Sequence, residues 1–168
     1  MAETFAPKFK NFQADIEAYL AAAGKREKAR DGFVVFRGYE HALNLVFDQY
    51  LTHRAFEPLV GHFRAWNWEL SYDDHLLRLT DALIQERDWV LLKRLWGGVI
   101  SKRRKLYNDA RRIETHAPGS LPASTLRDSR NRLLETLERV RAYSHALGHK
   151  DDQTYSTMIE RVKAGRQA

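Results

Sequence analysis

Apolar residues return every three or four positions through nearly the whole chain, and no stretch alternates apolar and polar residues alongside a second stretch that could pair with it. A repeat near 3.6 lays one apolar stripe along a helix, whereas a half-buried strand needs a repeat of two. The sequence therefore predicts an all-α fold. Phe9, Phe12, Ile16, Tyr19 and Leu20 form a stripe over 8–23, closed by Gly24. Phe36, Tyr39, Leu43, Val46, Phe47 and Tyr50 form a second over 33–51. The run Phe33-Val34-Val35-Phe36 alone would suit a strand, but with no partner strand it reads as helix. A third helix spans 55–66, with Pro58 acceptable only in its first turn. Ser71 looks like the cap of a fourth, with Asp74 reaching back to it, and that helix runs to about residue 86. Asp88 caps a fifth from Trp89 to about Ile113. A sixth covers 124–147, and Asp151 or Asp152 caps a last one bearing Tyr155, Met158, Ile159 and Val162. The clearest break is 116–122, which holds two prolines and a glycine. A length of 168 residues suits a single domain over 1–168.

Residues 39–66 fall on residues 72–99 when moved forward by 33 positions. Leu43 meets Leu76, Val46 meets Leu79, Leu59 meets Leu92, Phe63 meets Trp96 and Arg54 meets Arg87. The unit is a helix–turn–helix hairpin. In its period and matched apolar positions, this stretch of 39–99 resembles the tetratricopeptide-like helical-hairpin repeats. The resemblance implies antiparallel hairpins stacked as a short solenoid-like or orthogonal bundle. It also implies a concave surface suited to a peptide or partner helix.

Composition narrows the chemistry. The chain has no cysteine, which excludes disulfides, a thiolate nucleophile, a Cys-ligated zinc site and an iron–sulfur cluster. No Gly-rich phosphate loop, G-x-S-x-G or H-E-x-x-H motif is present. His145 and His149 have the helical metal spacing, but Gly148 between them ends the helix and turns His149 away. No catalytic residue, metal or cofactor is expected, and the chain reads as a non-enzymatic binding module. Its apolar clusters are too short to span a membrane and the first residues lack an apolar signal core, so a soluble cytoplasmic protein is expected.

Charge is uneven. Residues 1–99 carry 13 basic and 14 acidic side chains, while residues 100–168 carry 15 and 8, so the whole excess of +6 lies in the later part. The fifth helix concentrates it. Leu92, Leu95, Val99, Leu106, Ala110 and Ile113 share its apolar stripe, and Trp89, Trp96, Ile100 and Tyr107 lie on an adjacent line. The opposite half carries Lys93, Arg94, Lys102, Arg104, Lys105, Arg111 and Arg112, offset by Asp109. Such a face suits phosphates, since arginine forks bind them bidentately and released counterions supply affinity. The simpler alternative is a solvated face paired with acids elsewhere. Arg103 projects near the apolar stripe, as a groove-floor arginine or as half of a structural pair.

Two functions follow as expectations. One is a protein- or peptide-binding module using Trp68, Trp89, Trp96, Tyr107 and Arg103, with part of the line Trp89, Trp96, Ile100, Tyr107 left accessible or covered by a second copy, and one of Trp66 and Trp68 exposed as an anchor. The other is a nucleic-acid-binding protein using the basic face around 93–112.

Overall fold

The computed structural model describes residues 5–23, 32–65 and 73–168. Among these residues every regular element is a helix: α1 (Phe12–Ala22), α2 (Gly32–Thr52), α3 (Phe56–Ala65), α4 (Asp73–Gln85), α5 (Trp89–His116), α6 (Ala123–Ala146) and α7 (Asp152–Lys163). The chain is all-α, as its periodicity requires. Phe33–Phe36 is helical. Ser71 and its expected cap lie outside the described residues. None of the described helices is long and apolar enough to cross a membrane. The chain divides into two compact units, Met1–Ala82 and Leu83–Ala168, so the break at 116–122 lies inside the second.

In the first unit α1 packs on α2 and α3 through rings. Phe12, 1% exposed, meets Phe47, Tyr50 and Phe63 at centroid distances of 6.3, 5.2 and 5.9 Å. Helix α1 starts at Phe12, four residues later than the apolar stripe implies. The reason is Asp15, which is buried on the apolar side. Its carboxylate accepts the main-chain N–H groups of Lys8 (3.1 Å) and Phe9 (3.0 Å) and the hydroxyl of Tyr50. Phe9 is held at φ 56°, so the chain bends there, and Asn11 caps the helix by accepting from Ala14 N–H at 3.0 Å. Burial, reinforced by the bond to Asp15, pushes the Tyr50 phenol above its ordinary range and keeps it a donor.

His62 lies edge-on to Phe12 and Phe63, with centroids 4.9 and 5.2 Å away, and burial pushes its imidazole down to about 4. An unfolded histidine titrates near 6.5. Between the two values the unfolded chain binds the extra proton, so stability is complete above about pH 6.5 and falls as pH drops toward 4. His62→Leu is expected to remove roughly 2 kcal/mol of the loss between pH 7 and pH 4.5, discounted for residual solvent contact. Urea unfolding at the two pH values measures this. Burial shifts His75 the same way, and it stays present in both proteins.

Four helices close alike. Arg54, Arg87, Gly148 and Gly165 sit at φ 57°, 54°, 73° and 69° just past the ends of α2, α4, α6 and α7. Each donates its N–H to the carbonyl three residues back, and the next residue donates to the carbonyl five back; Asp88 N–H to Leu83 O at 2.9 Å is one example. Arg54 and Arg87 stand 33 positions apart. The breaks after Thr52 and Gln85 keep the same spacing.

The second unit is three antiparallel helices. Trp96 faces Tyr143 and Arg103 meets Thr136 across α5 and α6, while Arg130 near the start of α6 reaches Lys163 at the end of α7. Leu92, Leu95 and Val99 of α5, Leu133 and Leu137 of α6 and Ile159 of α7 are fully buried.

Candidate nucleic-acid interface

Helix α5 is 28 residues long. Asp88 opens it by accepting from Leu91 N–H at 3.0 Å. It runs to His116, past the expected Ile113, because nothing before Pro118 breaks it.

The aromatic line of α5 is core. Trp89, Trp96, Ile100 and Tyr107 are 5%, 2%, 7% and 1% exposed, which corrects the expectation of an accessible groove. Trp89 stacks on His149 at 5.3 Å and donates its indole N–H to Asp151 at 2.8 Å. Trp96 packs on Tyr143 at 5.8 Å, and the Tyr107 hydroxyl donates to the Arg166 carbonyl at 3.0 Å. The covered side of α5 thus runs through Trp96, Ile100 and Tyr107. Leu106 and Ile113, expected inside, are left 49% and 39% exposed. Arg103 donates across the seam to Thr136 of α6, which is 1% exposed and bonds the Arg132 carbonyl at 2.7 Å. It is a seam residue of the α5–α6 packing. Trp66 and Trp68 lie outside the described residues.

The basic face divides into four groups. Lys93 pairs with Asp151 at 3.0 Å. The Trp89 and Lys93 hydrogen bonds hold the Asp151 carboxyl below its usual range. Lys105 and Arg112 lean on Asp109 at 3.4 and 3.5 Å, both solvent-exposed pairs of small energetic weight. Arg94 is exposed and Lys102 is half-buried. Arg104 and Arg111 differ. Their Nε groups donate to main-chain oxygens, Arg104 to Ala168 at 2.7 Å and Arg111 to Gly165. On α6, Arg130 donates through Nη2 to the Lys163 carbonyl at 2.7 Å.

These bonds bring the main chain of Lys163–Ala168 against Arg104, Arg111 and Arg130, and that segment itself carries Lys163 and Arg166. The peptide carbonyls of Gly165 and Lys163 are neutral, so they orient Arg111 and Arg130 without cancelling charge. Glu138, 3.8 Å from Lys163, offsets part of the patch. By composition Leu83–Ala168 carries 18 basic and 10 acidic side chains, a net of +8, against 10 and 12 in Met1–Ala82, a net of −2.

Sequence reasoning found Arg104 and Arg111 but missed Arg130, Lys163 and Arg166, which a basic count along one helix cannot reach. The available signal was Gly165 after the last apolar residue, since glycine there permits the turn. Among the described residues no group of three His, Cys, Asp or Glu is placed to hold a metal ion. No family, curated protein or solved structure matches the chain.

Proposed function

We propose that the second unit binds the phosphate backbone of nucleic acid, without reading base sequence. The observation that carries this reading is that Arg104, Arg111 and Arg130 all reach one short segment, Lys163–Ala168, which itself carries Lys163 and Arg166, in a unit of net charge +8. Guanidinium forks bind phosphate oxygens bidentately. Affinity then comes from counterion release and depends little on sequence. The peptide-groove reading lost its lining when Trp89, Trp96 and Tyr107 proved to be core.

The test neutralises the patch while keeping hydrogen-bond donors. The combined change Arg111→Gln, Arg130→Gln and Arg166→Gln is expected to weaken binding of a labelled single strand of about 20 nucleotides by roughly tenfold or more near 50 mM salt, equally for unrelated sequences. Lys8→Gln, Lys10→Gln and Arg64→Gln in the first unit should leave it unchanged. Fluorescence anisotropy measures both. Equal affinity in the patch variant and wild type sinks the reading.

A further inference from the structure

Two arginines of the proposed interface are already occupied, by the chain itself. Helix α7 ends at Lys163, and Gly165 at φ 69° turns the chain as its N–H reaches the Val162 carbonyl (3.0 Å) and Arg166 N–H reaches that of Arg161 (2.9 Å). The turn lays Arg166–Ala168 against α5. There Tyr107 donates to the Arg166 carbonyl (3.0 Å), Arg104 to the Ala168 main-chain oxygen (2.7 Å) and Arg111 to the Gly165 carbonyl. Asn108 holds Ala168 at both ends of one residue, accepting its N–H at 3.1 Å and donating to its oxygen at 3.2 Å. Ala168 is 5% exposed, although residues 164–167 before it are exposed.

We propose that Gly165–Ala168 is a strap that phosphate displaces from Arg104 and Arg111, so that nucleic acid binds the strap-open state. The proposal rests on the phosphate-binding reading above. All the strap's bonds from the two arginines end on main-chain oxygens. A phosphate offers Arg111 a charged, bidentate partner in place of the neutral Gly165 carbonyl, with bonds about twice as strong. Strap and ligand therefore compete for the Nε donors of Arg104 and Arg111, and the strap scales apparent affinity down to the fraction of molecules in which it is open.

The test variant combines Gly165→Ala, which places a side chain at a left-handed turn, with Asn108→Ala, which removes both bonds to Ala168. Neither change alters charge. Anisotropy with the single strand of about 20 nucleotides is expected to show affinity raised by roughly fivefold near 50 mM salt. Circular dichroism checks that the variant folds. In the wild type, the Ala168 amide is expected to exchange slowly when free and faster once the strand is added. Unchanged or weaker affinity in the folded variant, while the wild type binds, overturns the strap and leaves the phosphate-binding reading standing. If Ala168 keeps its protection in the complex, the strap is overturned whatever the variant does. Binding by neither protein overturns the strap and the phosphate-binding reading together.

Discussion

Asp15→Ala is expected to destabilise the full chain by about 3 kcal/mol, read as a fall in the urea midpoint at pH 7. The carboxylate is 3% exposed and receives three donors: Lys8 N–H, Phe9 N–H and the Tyr50 hydroxyl. Truncation leaves two main-chain donors and a hydroxyl without an acceptor, and each buried orphan costs about 1 kcal/mol or more. It also frees Phe9 from φ 56°, so the bend before α1 loses its restraint. Tyr50→Phe removes a donor together with its need for a partner, and about 1 kcal/mol is expected there. An Asp15→Ala loss below about 0.5 kcal/mol would show that the carboxylate is a surface group, since surface changes stay in that range.

Trp96→Ala is expected to cost about 4 kcal/mol, the size of the loss when a fully packed indole is removed. Trp96 is 2% exposed, with Tyr143 at 5.8 Å and the Arg139 guanidinium 5.8 Å from its ring. The cavity would open on the α5–α6 seam, two turns from Arg103 and Thr136, so the seam cannot collapse without moving that bond. Trp96→Phe fills part of the space and should recover about half. This measurement also separates the two accounts of α5. A tryptophan waiting for a partner would give up almost nothing on truncation in the isolated protein.

The helices were legible because each stripe is strongly periodic, and observed ends differ from the expected ones by a few residues. The largest difference is at α1. Asp15 lies three residues after Phe12 and next to Ile16, so it stands on the stripe itself, where an acid has to find donors. Read along the sequence, that position signals an unusual helix start. Arg54 and Arg87 aligned in the 33-residue comparison, and each turned out to hold a left-handed turn that glycine usually takes. The faces of α5 were harder. Periodicity shows that Trp96 and Leu106 lie on different lines, but which line a neighbour covers depends on Tyr143 of α6, 47 residues on from Trp96. The strap left almost no signal, because Arg104, Tyr107 and Arg111 bond to main-chain oxygens that every residue possesses. Charge counts place the positive excess in the later part of the chain, and the fold then brings together residues 60 or so positions apart.

The central claim is that a basic patch of the second unit neutralises phosphates. Its most direct test is the salt dependence of binding by the unmodified chain, measured with a single strand of about 20 nucleotides between roughly 50 and 200 mM salt. Three to five contacts, at about 0.7 each for a single strand, predict a slope of log affinity against log salt of roughly −2 to −3.5. A slope near zero, or no binding near 50 mM salt, would contradict the account and return the patch to an ordinary solvated surface.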